Sequence, residues 1–191
     1  MKELDIHINE TFSMISETSD IDFSVLIENL FNEEISQPLE KVRRNGGKIL
    51  FATISIEQKM ESLLLHVFMG PFQGPDKRRA LFENEILQST ALSYSAKKEL
   101  VFKAINTLKI LPGSDKSKLQ THLKSIMEWR NAFAHGRISH VHERGYFINY
   151  YSGGNRSLEL NSSYWAEVEN VFRECNELLS KALENLKEKE A

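Results

Sequence analysis

The sequence is poor in cysteine, in proline and in long apolar runs. Its 191 residues hold one cysteine, Cys175, which excludes a disulfide framework and a thiolate zinc cluster. The longest mostly apolar stretch, Ile49 to Ile56, is far shorter than the roughly 20 residues of a membrane-spanning helix. Lys and Arg number 24 against 27 Asp and Glu, and the formal charge of -3 excludes a strongly basic nucleic-acid coat.

The N-terminus also lacks the features of an export signal. Met1 to His7 shows no basic segment followed by an apolar one. Together with the single cysteine, this predicts a cytoplasmic protein with no membrane partner.

The length and the even composition predict one domain over 1–191. Between short turns the apolar residues recur at helical spacing. A turn is predicted at Asn45-Gly46-Gly47, and a long core helix follows it over about 48–69. The domain is then divided into an N-terminal helical extension (1–47), a core (48–136), a β-hairpin (137–160) and a C-terminal helix (161–190).

Two further helices are predicted within the core. The first covers about 94–110, with its apolar side chains on one side and its lysines, Lys97 included, elsewhere. The second covers about 115–135, where Ser114 is the predicted N-cap and Gly136 the residue that ends the helix.

After Gly136 the pattern changes to short runs typical of strands, Ile138–Val141 and Tyr146–Tyr151, which predict a small hairpin. Asn161-Ser-Ser is predicted to cap the last helix. The apolar residues of this helix recur at heptad spacing, which fits either a core-facing side or a dimer seam. Cys175 lies within this stripe and is predicted to be a small buried hydrophobe rather than a nucleophile. The stripe consists of Trp165, Val168, Phe172, Cys175, Leu179, Ala182 and Leu186.

The helix over 115–135 carries the chemically most informative residues. On an ideal helix Arg130 lies about 20° from Leu119, in the middle of the predicted apolar face, where a guanidinium needs a partner. Asn131 and His135 lie at its edge, one turn apart. A purely structural interpretation is also available, in which His135 interacts favourably with the helix dipole and Arg130 pairs with a buried carboxylate.

The segment Arg130-Asn-Ala-Phe-Ala-His135 resembles the Arg-to-His motif of the HEPN superfamily. The upstream residues Leu81–Ile86 and Leu92–Phe102 are similar to the HEPN-like group of the mannitol operon repressor. This resemblance implies an all-α fold, an antiparallel helical bundle of HEPN type into which the predicted hairpin is inserted before the last helix.

The resemblance also implies a function, a metal-independent endoribonuclease with a composite site in a homodimer and a role as a toxin or defence nuclease. Arg130 would stabilise the phosphate, Asn131 would orient His135 or a phosphate oxygen, and His135 would be the base or the acid. The implied partners are RNA, a second copy of the chain and a cognate antitoxin, without a cofactor or a metal. The alternative is a non-catalytic regulatory or nucleotide-binding module like the mannitol operon repressor.

Other groups of residues suggest weaker alternatives. His140 and His142 share one face of a predicted strand and could bind a metal with Glu143, although such a pair is more typical of solvated surface. The basic clusters Lys77-Arg78-Arg79 and Arg43-Arg44 could contact phosphate. A helical scaffold without any small-molecule site remains a third interpretation.

Overall fold

The computed structural model describes residues 38–141 and 143–190 and shows a mostly helical protein with one small antiparallel sheet. The prediction of a helical bundle is confirmed, and none of the helices in these two ranges is long and apolar enough to cross a membrane. In chain order the elements are α1 (Pro38–Met69), α2 (Lys77–Phe82), a π-helical turn (Glu83–Leu87), α3 (Tyr94–Leu108), α4 (Gly113–His135), β1 (Arg137–Val141), β2 (Gly145–Tyr151), β3 (Asn155–Glu159) and α5 (Ser162–Glu190).

The core lies where α1, α4 and α5 pack against one another, with α3 against α1 and β2 against α4. α1 begins at Pro38 and continues through Gly46 and Gly47, so the predicted turn at 45–47 and the predicted start near residue 48 are wrong. The remainder of the predicted extension, 1–37, lies outside the described residues.

Gly46 is inside the helix because α4 comes very close to it. A Cβ at this position would lie 2.5 Å from Cδ1 of Phe133, far inside van der Waals contact. The Phe133 ring in turn packs against Trp165, with ring centroids 6.0 Å apart. The glycine therefore serves packing between α1 and α4 rather than a turn.

We expect Gly46→Ala to destabilise the fold although alanine is the better helix former. Overpacking against Phe133 costs about 1–3 kcal/mol. Gly47→Ala is the matched control, because nothing lies within 4 Å of a Cβ there and removing a helical glycine stabilises by about 0.5–1 kcal/mol. Chemical denaturation of both variants measures the difference, and equal effects of the two substitutions would contradict this explanation of Gly46.

The heptad stripe of α5 is core. All seven of its residues are at most 3% exposed within one chain, so the core interpretation is confirmed and a dimer seam on this side is excluded. Cys175 is fully buried, and burial raises the pKa of its thiol well above the usual range. The predicted cap is also confirmed, since Asn161 Oδ1 accepts a hydrogen bond from the Tyr164 amide at 2.9 Å.

The segment 137–160 forms a three-stranded sheet in the order β1-β2-β3. The predicted hairpin is present as the antiparallel pair β1 and β2, and β3 adds a strand that was not predicted. Ile148 of β2 is buried against the helices, which fixes the sheet on α4. β3 has only one partly buried apolar residue, Leu158. Its sequence therefore shows none of the apolar alternation by which strands are recognised.

Lys97 of α3 lies inside the protein, contrary to its predicted place away from the packed side. Its side chain is only 4% exposed, and its Nζ lies 2.5 Å from Glu57 Oε1 and 2.5 Å from Glu61 Oε1, both on α1. Burial alone would lower the pKa of Lys97, but the hydrogen bonds to the two carboxylates outweigh it and raise the pKa. α3 is thus joined to α1 by a buried ion cluster.

Candidate functional site

The motif helix α4 does not bury Arg130. Near its N-terminal half the buried side includes Leu119 and Leu123, but towards its C-terminus Trp129 and Ala132 are buried instead. The buried side therefore shifts around the helix axis along α4, away from the direction of Leu119, and Arg130 is exposed. The prediction that Arg130 lies in the middle of the apolar face is wrong, and among the described residues Arg130 has no carboxylate partner. The predicted cap is wrong as well, since the N-cap of α4 is Pro112 and not Ser114.

α4 ends at Gly136 as predicted, although the reason for the glycine is different. Gly136 has an extended backbone, φ -81° and ψ 168°, which any residue could adopt. A Cβ there would lie 2.3 Å from the Ala132 carbonyl oxygen of the last turn, 2.8 Å from Ile148 Cγ1 and 3.1 Å from the Asn149 carbonyl oxygen. Glycine allows β2 to pass directly over the end of α4, and this places His135 at the edge of the sheet.

The three predicted site residues are brought together in part. Arg130 Nη1 donates a hydrogen bond to Asn131 Oδ1 at 3.0 Å, so Asn131 holds the guanidinium rather than His135. His135 is exposed, and its side chain makes no hydrogen bond or ion pair with the described residues. Asn131 and His135 lie on the same side of α4, about 40° apart, whereas Arg130 and His135 are separated by about 140°.

His135 opens onto a groove of about 510 Å³ between the end of α4 and the sheet. The groove is cationic, because Arg137 and Arg156 line it together with His135 and none of its described lining residues is acidic. Tyr151, also in the lining, is 79% exposed. Arg130 and Asn131 are not among the lining residues.

The sheet is fixed to α4 beneath this groove by Glu128. The Tyr150 hydroxyl donates a hydrogen bond to Glu128 Oε1 at 2.7 Å, and Arg156 Nη1 lies 3.9 Å from the same oxygen. Burial first, and then the hydrogen bond to Glu128, raise the pKa of Tyr150 to about 12. Tyr150 therefore remains a neutral donor at physiological pH, and the position of Arg156 relative to α4 is defined.

Sequence reasoning missed Arg137, Tyr151 and Arg156. Arg137 follows the motif by only two residues, but its relation to Arg156 depends on the strand register. Arg137 pairs with Asn149 across β1 and β2, and Arg156 pairs with Tyr150 across β2 and β3. The sequence would have had to predict β3 and its pairing with β2 to show that these residues share one groove.

Each of the two alternative basic clusters has at least one arginine that is paired within the chain. Arg43 pairs with Glu40 at 2.7 Å, and Arg79 donates a hydrogen bond to the Gly70 carbonyl oxygen at 2.9 Å. The guanidinium of Arg79 also lies 5.7 Å from the centre of the Phe72 ring.

Of the alternative metal ligands, His140 packs against Tyr146, with ring centroids 4.9 Å apart. His142 lies outside the described residues, so the predicted pairing of the two histidines has no counterpart in the described geometry.

The end of α4 and the adjoining groove thus present an imidazole and three guanidinium groups at the surface. An imidazole can take up or release a proton near neutral pH, and guanidinium groups bind phosphate through paired donors. This set of groups is suited to binding a phosphodiester and moving a proton beside it. Searches against protein-family models, curated proteins and solved structures found no match to this chain.

Proposed function

We propose that this protein is a metal-independent endoribonuclease of HEPN type that works as a homodimer, in a toxin or defence role. The observation that carries the proposal is the exposed end of α4, where no described carboxylate pairs with Arg130 or His135. Both side chains are therefore available to a phosphodiester. In a toxin, this is the surface that a cognate antitoxin would cover.

The chemistry follows from the residue types. His135 takes the proton from a ribose 2′-hydroxyl, whose oxygen then attacks the neighbouring phosphorus. Arg130, held by Asn131, binds the phosphate oxygens and stabilises the charge that develops on them. The bond from phosphorus to the 5′-oxygen breaks, and that oxygen takes a proton from water. The products are a 2′,3′-cyclic phosphate and a 5′-hydroxyl, so DNA, which lacks the 2′-hydroxyl, is not cleaved.

The homodimer explains how two residues on different sides of α4 can act together. Arg130 and His135 are about 140° apart around the helix, too far for both to contact one phosphate in the same chain. If the motif helices of two chains face each other, Arg130 of one chain lies beside the partner's His135. Two such sites arise from the symmetry of the dimer.

A second function is favoured by one observation, namely that Arg130 does not line the groove that His135 lines. In a non-catalytic regulatory module, like the mannitol operon repressor, the same residues would bind a nucleotide or RNA without cleaving it. Such a protein needs the cations of the groove but not a base beside the phosphate.

RNA cleavage in EDTA tests the proposal. Total RNA is incubated with the wild-type protein and with the Arg130→Ala and His135→Ala variants, and we expect each substitution to lower the rate about 100-fold or more. His140→Ala and Arg144→Ala, which alter exposed residues of the same region outside the groove, serve as controls with unchanged rates. Cleavage that survives both motif substitutions would overturn this site, and absence of cleavage by the wild-type protein would favour the regulatory module.

A further inference from the structure

The groove beside His135 is lined mainly by residues of the sheet, which lie outside the Arg130–His135 motif. Paired residues of an antiparallel sheet project to the same face, and Asn149 pairs with Arg137 on one side and with Ser157 on the other. These three residues form a polar row across all three strands. Tyr151, two positions after Asn149 on β2, lies on the same face.

The two arginines that line the groove are placed to bind an external anion. The Arg137 side chain has no hydrogen bond or ion pair among the described residues. Arg156 pairs with Tyr150 and therefore projects from the opposite face of the sheet, but it also lines the groove. It is held in place, since its Nε donates a hydrogen bond to the Ser152 carbonyl oxygen at 3.2 Å. In a chain with a net charge of -3, a groove with these two arginines and no described acidic lining residue selects for a polyanion.

Tyr151 determines which polyanion fits. An aromatic ring that is 79% exposed offers a flat surface on which a base can stack, and only an unpaired base has a face available for this. The neighbouring Asn149 and Ser157 provide hydrogen-bond donors and acceptors for base edges or sugar hydroxyls. The groove therefore fits a single strand better than a duplex.

We infer that this groove binds an unpaired segment of RNA next to the bond that is cleaved, with Tyr151 stacking on a base and Arg137 and Arg156 contacting phosphates. The inference rests on the proposed ribonuclease function for the identity of that bond. It assigns the small sheet to substrate recognition and makes single-stranded RNA the substrate class.

Binding of an RNA that cannot be cleaved tests this inference separately from catalysis. The probe is a fluorescent single-stranded RNA of mixed sequence with methylated 2′-hydroxyls, and anisotropy gives its Kd. We expect Tyr151→Ala to weaken binding about 5- to 150-fold, the loss of one stacked base, whereas Tyr151→Phe retains it. Phe72→Ala, which removes a half-exposed aromatic ring outside the groove, is the matched control without effect.

The arginines are tested by the salt dependence of the same binding. Arg137→Gln and Arg156→Gln should each lower the slope of log K against log salt by about 0.7–1, the release of about one counterion. Arg144→Gln, in the turn between β1 and β2 and outside the groove, should leave the slope unchanged.

The outcomes separate this inference from the proposed function. Cleavage that requires Arg130 and His135, with binding unaffected by substitutions at Tyr151, Arg137 and Arg156, would overturn the groove and leave the ribonuclease. Loss of binding in the groove variants of a protein that cleaves nothing would support the groove and overturn the ribonuclease. Equal binding of a duplex RNA or of single-stranded DNA, with the same dependence on Tyr151, would overturn the assignment to single-stranded RNA.

Discussion

An equal mixture of Arg130→Ala and His135→Ala chains should cleave RNA at about a quarter of the wild-type rate, although neither chain cleaves RNA alone. In random pairing, half of the dimers contain one chain of each kind. Such a dimer has one site with Arg130 from one chain and His135 from the other, and a second site that lacks both. One working site of two, in half of the dimers, gives the expected fraction.

The physical basis is the separation of the two residues on α4. They stand about 140° apart around the helix, and the Arg130 guanidinium is held by Asn131 at 3.0 Å rather than directed into the groove that His135 lines. If the site lay within one chain, every chain in the mixture would lack one of the two residues, and the mixture would stay inactive. A site shared between chains is restored by mixing, because each variant supplies what the other lacks.

The measurement uses chains mixed before refolding, so that the subunits exchange, and follows RNA cleavage in EDTA. The control mixture pairs Arg130→Ala with the double variant Arg130→Ala/His135→Ala, which provides no complete site and should remain inactive. If the first mixture also stays at the level of its separate components, the composite site is wrong, even where both residues prove essential. Asn131→Ala, introduced into otherwise wild-type chains, should lower the rate of RNA cleavage, because it removes the hydrogen bond that holds Arg130. Asn131→Asp should not restore the full rate.

The parts of the fold that could be predicted are those with a strong local pattern. The apolar spacing of Trp165 to Leu186 and the cap at Asn161 depend on α5 alone, and both are found in the structure. Gly46 was misread as a turn because glycine in a sequence indicates flexibility, whereas its role here depends on Phe133, a residue far away in the chain. Local patterns contain no information about such a partner.

The same distinction applies to the candidate site. Arg130, Asn131 and His135 could be identified because they follow one another on one helix. Arg130 was nevertheless placed on the buried side, because a single helical wheel assumes that one side faces the core throughout, whereas the buried side of α4 turns between Leu119 and Trp129. The groove could not be predicted at all, since it depends on the register of β3 against β2.

The buried position of Lys97 is already indicated by the spacing of the apolar residues in its helix. Its spacing to Val101, Ala104 and Ile105 is four, seven and eight residues, and all three of these are buried. A lysine in such a pattern belongs to the packed side of its helix. The usual expectation points the other way, because charged residues are rarely buried unless they are paired. The carboxylates that pair with Lys97 are on α1, so the sequence of α3 alone does not reveal them.

Replacing this lysine should therefore be among the most destabilising substitutions in the protein. Lys97→Met keeps most of the side-chain volume but leaves the Glu57 and Glu61 carboxylates without their counter-charge. Breaking a buried ion pair in this way costs about 3–5 kcal/mol. Lys103→Met, at an exposed position of the same helix, is the control and should change the free energy of unfolding by less than about 0.5 kcal/mol.

The pH dependence distinguishes this electrostatic cost from lost packing. Burial already raises the pKa of Glu61, more than the hydrogen bond from Lys97 lowers it, and removal of the lysine raises it further. A folded-state pKa above the unfolded one means that protonation favours the fold, so the deficit of Lys97→Met is largest at neutral pH and shrinks as the pH falls towards 4.5. In the wild type the raised pKa of Lys97 matters at alkaline pH. Its contribution to the stability of the fold is present below pH 10.5 and is lost as the pH rises further.

Urea denaturation of both variants between neutral and mildly acidic pH provides the test. The variant Lys97→Met/Glu57→Gln/Glu61→Gln should recover much of the stability at neutral pH and lose the added pH dependence, because the three positions of the cluster no longer carry a charge. If Lys97→Met lowered the free energy of unfolding by the same amount at every pH, the cause would be poor packing of the methionine. The triple variant would then be as unstable as Lys97→Met. A stability loss that depends on the two carboxylates would show that this charge cluster joins α3 to α1, in addition to the apolar contacts of Val101 and Ile105.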